Sequence, residues 1–242
     1  MLIKSNEQLL VVLDNLLREP QGFWDGFYDQ TFKKVPFFVN KPDENLVSYF
    51  EKKVIQPDKV LELGCGAGRN AIYLAKQGCS VVGVDLSDHA LQWAQKRVDE
   101  ADVNVDFICA NIFELNLQEE SFDFIYDSGC FHHIAPHRRV TYIELIHKLL
   151  KPNGYFALCS FEEHGAYGGS AISDEEVYIT RSLEGGLGYT QNQLKEIFQS
   201  LEEIEIRQMI ALSDEDQYFG LDGFLVGLFK KNLKRKEELM RG

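Results

Sequence analysis

The sequence has no long hydrophobic run and no closely spaced pair of cysteines. No apolar stretch approaches the roughly 18 residues that a membrane-spanning helix needs, and Asp14 interrupts the hydrophobic stretch near the N-terminus. The five cysteines, at positions 65, 79, 109, 130 and 159, form no C-x-x-C pair, which favours free thiols in a reducing compartment. We therefore expect a soluble, cytoplasmic protein without a membrane segment.

Positive charge is also scarce. The 242 residues include 25 lysines and arginines against 38 aspartates and glutamates, a formal net charge of -13. This balance disfavours tight binding to nucleic acid, because neutralising phosphates supplies most of that affinity. Residues 230–242 are an exception with six basic side chains, and two interpretations stay open: a frayed terminal helix or a contact for a polyanion. The length suits one domain with a large core.

The most informative stretch is residues 59–75, which read KVLELGCGAGRNAIYLA. A short apolar run leads into glycines at every second position, 64, 66 and 68, and a helix-like pattern follows, so strand, glycine turn and helix are expected in that order. Glycine has no Cβ, so the backbone can turn sharply and approach a bound molecule, with free N–H groups at the start of the next helix. The stretch therefore predicts a cradle for a small ligand.

The spacing of the glycines indicates which ligand is bound. A dinucleotide fingerprint requires G-x-G-x-x-G, but its third glycine is replaced by Arg69, and Glu62 stands two residues before the first glycine. With these residues the chain resembles the class I S-adenosylmethionine (SAM) dependent methyltransferases, whose first motif is an acidic residue followed by G-x-G-x-G. A nicotinamide-dependent oxidoreductase and a non-catalytic SAM-binding protein remain as less favoured alternatives.

Apolar runs alternate with helical patterns along the chain, which predicts a doubly wound, mostly parallel α/β sheet. An amphipathic helix is expected between Ser5 and Pro20, and Ser87 and Thr190 are expected to cap later helices. Other predicted helices cover 70–77, about 138–150 and 191–200, and predicted strands cover 60–63, 80–85, 105–109, 122–127, 155–160, 203–210 and 224–230. The resemblance covers residues 60–230 and implies a seven-stranded Rossmann-like sheet with an antiparallel last strand.

We predict a single methyltransferase domain built from successive segments. These are an N-terminal helix and aromatic lid (1–45), a SAM-binding core (59–160), a glycine-rich substrate loop (161–189), a C-terminal helix and hairpin (190–230) and a basic tail (231–242). Long loops within compact domains are usually functional or disordered, which favours a role in substrate binding for the third segment. The protein is expected to be a monomer or homodimer.

The resemblance also implies a set of cofactor contacts. Asp85 ends the second strand, where a carboxylate can accept hydrogen bonds from both ribose hydroxyls of SAM, although it could instead be a charge at a helix N-terminus. Glu62 would hold the glycine loop or meet the amino group, or be a solvated neighbour. Asn111 stands where many family members have an aspartate beside the adenine. The predicted contacts are Glu62, Gly64, Cys65, Gly66, Gly68, Arg69, Asn70, Asp85, Leu86, Asn111, Ile112, Asp127, Ser128 and Gly129.

After the fourth strand the sequence reads YDSGCFHHIAPHRR. Its leading aspartate, the G-R-N-x-x-Y-L-A of the first helix and the aromatic N-terminal segment make the chain similar to the small-molecule branch that contains tellurite-resistance and thiopurine methyltransferases. The turn lacks the N/D-P-P-Y pattern of amino-methylating DNA enzymes, so a small-molecule acceptor is expected. The implied cofactor is SAM, with S-adenosyl-L-homocysteine (SAH) as its product.

His132 and His133 are candidate catalytic bases, because the pKa of histidine lies near neutrality. The alternative is that one histidine packs under the cofactor and the other is exposed. A shared metal is disfavoured, since adjacent side chains diverge and no other ligands complete a site. The expected acceptor pocket is lined by Trp24, Tyr28, Phe37 and Phe38 with the 161–189 loop, although these aromatic residues could instead pack the N-terminal helix onto the sheet.

Overall fold

A central sheet of seven strands organises the protein in the computed structural model, which describes residues 2–29 and 35–232. The strand order is β3-β2-β1-β4-β5-β7-β6. Strands β1 to β5 are parallel where they pair, whereas β7 runs antiparallel to both β5 and β6. The predicted fold is therefore confirmed. The strands are β1 Lys59–Leu63, β2 Ser80–Asp85, β3 Asp106–Cys109, β4 Phe122–Ser128, β5 Leu150–Phe161, β6 Glu202–Gln208 and β7 Phe224–Lys230.

Helices cover both faces of this sheet and its carboxyl edge. The predicted caps are confirmed, because the side chains of Ser87 and Thr190 accept hydrogen bonds from the N–H groups of Ala90 and Gln193. The helices are α1 Asn6–Asp14, α2 Pro20–Tyr28, α3 Glu44–Glu51, α4 Arg69–Lys76, α5 Asp88–Ala101, α6 Arg139–Leu149, α7 Asp174–Thr180 and α8 Gln191–Ile197. No helix in the described residues is long and apolar enough to cross a membrane.

The main departure from the predicted elements lies in the aromatic N-terminal segment. Residues 21–45 lack clear helical periodicity, yet α2 and a short 3-10 helix, Pro36–Phe38, form there, and α3 begins at the end of the segment. Pro20 occupies the first turn of α2, where its missing N–H costs nothing, and the Glu19 carboxylate accepts from the next two N–H groups. Pro20 and the Glu19 cap therefore mark the start of this helix.

The inner strands are largely buried on both faces, as expected for sheets covered by helices, whereas the edge strands β3 and β6 are more exposed. Along β1, Val60 belongs to the apolar cluster beneath α3 and α4, whereas Leu61 and Leu63 belong to the larger cluster beneath α6 and α8. Because β1, β2, β4 and β5 are parallel, their carboxyl ends lie at the same edge of the sheet. That edge is where open α/β sheets bind ligands.

Candidate cofactor and acceptor site

The glycine loop after β1 has a backbone that side chains would disturb. Gly64, Gly66 and Gly68 have φ angles of +65°, +52° and +78°, in the left-handed region that favours glycine. A Cβ at position 64 would lie 2.6 Å from the Cβ of Cys130, and one at position 66 would lie 2.5 Å from the hydroxyl oxygen of Tyr28. Conformation and close approach together account for the alternating glycines.

Glu62 lies beneath this loop with its side chain almost fully buried. Among the described residues its Oε2 atom has no hydrogen-bond partner. Glu62 also lines the small cavity at the loop. Burial raises the pKa of Glu62 to about 8, against the opposing effect of the Arg69 guanidinium. An unpartnered buried carboxyl suits the amino group of an amino acid, so this part of the cradle fits the methionine end of SAM.

Asp85, at the end of β2, also faces the loop. Its two carboxylate oxygens accept from the backbone N–H groups of Gly66 at 2.7 Å and Ser87 at 2.9 Å. Burial raises its pKa, while these hydrogen bonds act in the opposite direction. Asp85 thus holds the glycine loop beside the N-terminus of α5, and each oxygen keeps a second lone pair for a ribose hydroxyl.

Arg69, which replaces the third glycine of a dinucleotide fingerprint, belongs to a buried polar network. Its guanidinium forms an ion pair with Asp43 at 2.6 Å and donates to Ser128 Oγ at 3.0 Å. Asn70 accepts from the Asp43 N–H and donates to its carboxylate, both at 2.9 Å. The network joins the start of α3 to the glycine loop. Asp43 was not predicted, because no sequence motif indicates a partner from outside the core.

The predicted adenine end of the site lies after β2 and β3. The Asn111 side chain accepts from the Phe113 N–H at 3.1 Å and so begins a short 3-10 helix, Ile112–Glu114. Ile112 is buried, Leu86 is half-buried, and the Ala110 N–H bonds to the Asp85 carbonyl oxygen at 3.0 Å. The structure therefore brings the predicted adenine contacts beside the predicted ribose contact.

Asp127 is fully buried at the end of β4 and shapes the following turn. One of its oxygens accepts from the N–H groups of Cys130 and Phe131, and the other accepts from the Tyr142 hydroxyl at 2.5 Å. Burial raises its pKa to about 6 against these hydrogen bonds. Its oxygens are therefore engaged by the turn and by α6. A direct contact from Asp127 to the cofactor remains a prediction, whereas its neighbour Ser128 lines the cavity.

His132 and His133 follow this turn in a short 3-10 helix, Phe131–His133. The His132 ring is buried and stacks on Phe161, with ring centroids 3.8 Å apart, and its Nδ1 accepts from the Phe161 N–H at 3.1 Å. The His133 ring meets Trp24 edge-on at 4.7 Å. Burial lowers the pKa of His132 well below its usual value and that of His133 to about 3. Both rings are consequently neutral at physiological pH.

Helix α2 places the predicted aromatic residues over the glycine loop. The Tyr28 ring stacks on Phe38 at 5.5 Å, Phe38 meets Trp93 edge-on at 5.0 Å, and Trp24 reaches His133 as described. Beneath them the remaining cavity has a volume of about 40 Å³ and is lined by Tyr28, Phe37 and the glycine loop. The four predicted aromatic residues therefore come together at the site, with Tyr28 inside the cradle.

Polar contacts made by two aspartates, Asp25 and Asp14, attach this N-terminal region and were not predicted. Ser87 Oγ donates to the Asp25 carboxylate at 2.7 Å, and His89 Nδ1 donates to the Asp25 carbonyl oxygen at 3.1 Å. Farther along, the Asp14 carboxylate accepts from His137 Nε2 at 2.8 Å and from the Arg138 guanidinium. No sequence signal could have identified these pairs, since their members are 62 to 124 positions apart.

Comparison with known proteins decides the family. A model of the methyltransferase domain matches residues 60–154. An uncharacterized methyltransferase of Schizosaccharomyces pombe, C750.03c, is 33% identical over 106 residues, which cover 44% of this chain and 73% of that protein. The chain belongs to the class I SAM-dependent methyltransferases. No support for the nicotinamide-dependent oxidoreductase came from these comparisons, and the family's cofactor is SAM.

Other methyltransferases of this family match a larger or a smaller part of the chain. TehB of Haemophilus influenzae, a probable SAM-dependent methyltransferase, is 26% identical over 186 residues, covering 76% of this chain and 59% of that protein. An uncharacterized methyltransferase of Synechocystis, sll0829, is 37% identical over 109 residues, covering 45% and 50%. The chain thus spans between half and three fifths of the lengths of these two relatives.

Solved methyltransferase structures share the fold. The 1,6-didemethyltoxoflavin N1-methyltransferase of Burkholderia thailandensis, solved with its acceptor and SAH, superposes with a TM-score of 0.64 at 23% identity, covering 96% of this chain and 92% of that one. A chain solved in work on the conversion of a disulfide into a thioacetal during echinomycin biosynthesis gives 0.70 at 22% identity, covering 92% and 97%. At these identities the likeness concerns the fold.

Proposed function

We propose that this methyltransferase transfers the methyl group of SAM to a small, planar aromatic acceptor. The observation that carries the proposal is the position of the aromatic side chains of α2, which close the glycine loop from above and reach His133 through Trp24. Flat apolar walls favour flat ligands, because aromatic rings stack or meet edge-to-face at such distances. The acidic charge of the chain adds weight against a nucleic-acid substrate.

In this proposal the chain's own residues make the contacts that the cofactor requires. Glu62 would meet the amino group and Asp85 the ribose, while Leu86, Asn111 and Ile112 would meet the adenine. Within residues 65–69, the backbone N–H groups that are not already bonded to the protein would meet the carboxylate. Bound SAM would supply a methyl group on a positively charged sulfonium. On transfer, the electron pair of the sulfur–methyl bond stays on sulfur, which gives SAH, and the acceptor loses a proton.

Catalysis by this chain would consist mainly of positioning. Holding two reactants in line can contribute roughly 7–11 kcal/mol, whereas a general base typically contributes about 10²–10⁴-fold in rate. The aromatic lid would also exclude water from the reacting groups. A base role for His132 or His133 remains a proposal, and the depressed pKa values of both rings make each a weak base at neutral pH.

The solved relatives are consistent with this acceptor class. The Burkholderia enzyme acts on 1,6-didemethyltoxoflavin and covers nearly the whole chain, including the N-terminal region that forms the lid. We extend only the general class to this chain: a small molecule. Its oligomeric state, monomer or homodimer, and its cytoplasmic location remain expectations.

Calorimetric titration with SAH, beside NADH as a control, tests the cofactor assignment. Binding of SAH alone is expected, and binding of NADH alone would refute it. An acceptor screen with SAM and aromatic thiols, phenols and heteroaromatic amines then tests the activity, with SAH release as the readout. SAH binding without turnover of any acceptor would instead support a non-catalytic SAM-binding protein.

A further inference from the structure

The position of the proton on the His132 ring is fixed by its surroundings. A backbone N–H can only donate, so the 3.1 Å contact between the Phe161 nitrogen and His132 Nδ1 requires a lone pair on Nδ1. The ring is buried, and no carboxylate among the described residues hydrogen-bonds to it, so it is neutral. A neutral imidazole carries one proton, which must therefore be on Nε2.

This Nε2–H group lacks an acceptor among the described residues. It belongs to the ring edge that faces the turn after β4, since a Cβ at Gly129 would lie 3.6 Å from Cε1 and 3.9 Å from Nε2. Gly129 directly follows Ser128, which lines the cavity at the glycine loop. This donor is therefore available to a ligand that supplies an acceptor atom.

The ring cannot easily turn to present another atom. Phe161 stacks on one face at 3.8 Å, and the His133 ring contacts it at 4.3 Å. The backbone is held as well, because the His132 carbonyl oxygen accepts from the Leu187 N–H at 2.8 Å. The donor is thus preorganised at the carboxyl ends of β4 and β5.

We propose that the His132 Nε2–H donates a hydrogen bond to the methyl acceptor and thereby orients it. This inference rests on the proposed function and narrows the substrate class: a planar heteroaromatic molecule that carries a lone-pair atom, such as a ring nitrogen or carbonyl oxygen, besides the atom that takes the methyl group. For His132 this donor role replaces the base role considered above, because its basic nitrogen accepts from the Phe161 N–H. An ammonium group cannot accept this hydrogen bond, so protonated aliphatic amines are excluded at this position.

Nuclear magnetic resonance of protein labelled with ¹⁵N-histidine, in complex with SAH, tests the proton position without turnover. Long-range ¹H–¹⁵N correlations should show His132 protonated at Nε2 and unprotonated at Nδ1 from pH 5.5 to 8.5. The His132→Phe variant identifies the signals. A proton on Nδ1, or titration of this ring within that range, overturns the proposal.

A matched pair of aromatic thiols tests the hydrogen bond itself. Quinoline-3-thiol and naphthalene-2-thiol have the same shape and the same nucleophilic atom, but only the first has a ring nitrogen that accepts. Adding quinoline-3-thiol to the SAH complex should shift the Nε2–H signal downfield, and naphthalene-2-thiol should not. With SAM, the wild type is expected to prefer quinoline-3-thiol about 10-fold in kcat/KM, equivalent to about 1.4 kcal/mol.

His133→Phe is the control, since it makes the same substitution one residue away and leaves His132 intact. The preference for quinoline-3-thiol should disappear in His132→Phe and persist in His133→Phe. A preference that survives in His132→Phe, or an Nε2–H signal that neither thiol changes, overturns the proposal. Calorimetry with SAH on the same samples tests the proposed function separately. If the wild type does not bind SAH, the cofactor assignment is wrong, whereas the thiol preference tests the His132 hydrogen bond.

Discussion

The hydroxyl oxygen of Tyr28 lies directly above the α-carbon of Gly66, so close that a Cβ at position 66 would come within 2.5 Å of it. Two residues 38 positions apart in the sequence thus lie on opposite sides of the same cavity. The cavity between α2 and the loop has a volume of about 40 Å³ and is lined by Tyr28, Phe37 and the glycine loop. Because the Tyr28 hydroxyl lies against the loop, we expect α2 and Tyr28 to move when the cofactor binds.

Gly66→Ala should abolish detectable SAH binding. The β-carbon would project toward the cofactor and Tyr28, and alanine at a φ of +52° adds backbone strain of about 1–2 kcal/mol. Gly78→Ala is the matched control, because its φ is +89° but no atom lies within 4 Å of the added carbon. Calorimetry should show affinity retained by the control, and equal losses in both variants would indicate that strain alone is responsible.

Asp25→Ala should speed the association of SAH. The variant removes the acceptor of the Ser87 hydroxyl, which attaches α2 to α5, and one hydrogen bond contributes about 0.5–1.5 kcal/mol, or roughly 2- to 10-fold in the population of the open lid. Stopped-flow measurement of Trp fluorescence would follow binding. Asp29→Ala, a mostly exposed carboxylate just after the same helix, should leave the rate unchanged. An unaltered rate in Asp25→Ala would show that this contact does not limit entry.

Asp85→Ala should weaken SAH binding by at least 100-fold. The change removes both loop hydrogen bonds and the proposed acceptor of the ribose hydroxyls. Each hydrogen bond to a charged carboxylate contributes about 1.5–3 kcal/mol. Adenine alone should bind the variant about as well as it binds the wild type, since Asn111 and Ile112 remain. Unchanged SAH affinity would contradict the ribose assignment.

Glu62 should make the protein less stable as pH rises. Burial raises its pKa to about 8 in the folded state from 4.5, so between these values the folded state binds more protons than the unfolded state. The free energy of unfolding therefore falls with pH across that interval. Glu62→Gln should remove this contribution. The difference in the free energy of unfolding between the variant and the wild type should therefore shift in favour of the variant from pH 4.5 to pH 8. Urea denaturation of both proteins at the two pH values measures it, and parallel pH profiles would rule out the raised pKa.

The Glu62→Gln variant also tests the contact with the cofactor. If the ionised carboxylate meets the amino group of SAH, the neutral amide should bind SAH more weakly at every pH. Wild-type binding should also release a proton below pH 8, which calorimetry in buffers of different ionisation enthalpy detects. Binding without proton release would place the amino group elsewhere.

The sequence predicts the sheet well because its signals are local. The apolar runs, the alternating glycines and the capping side chains of Ser87 and Thr190 each act over a few residues, and the strands they predict lie within a few positions of those observed, except that β5 begins earlier, at Leu150. Asn153, at a φ of +62°, lies inside that strand, at an irregularity in its pairing with β4. The pairing of β5 with β4 continues on both sides of this irregularity.

The site, like the sheet, has some features that local sequence signals predict and others that depend on distant residues. The residue types at the glycine loop and after each strand determined the family, the cofactor and the positions of its proposed contacts, because parallel strands bring their carboxyl ends to one edge. Only the tertiary structure decided that Asp43 neutralises Arg69, that Asp25 attaches α2 to Ser87, and that Phe161 fixes the proton of His132 on Nε2. Each of these depends on a partner distant in sequence, and burial gives the pairing its energetic weight.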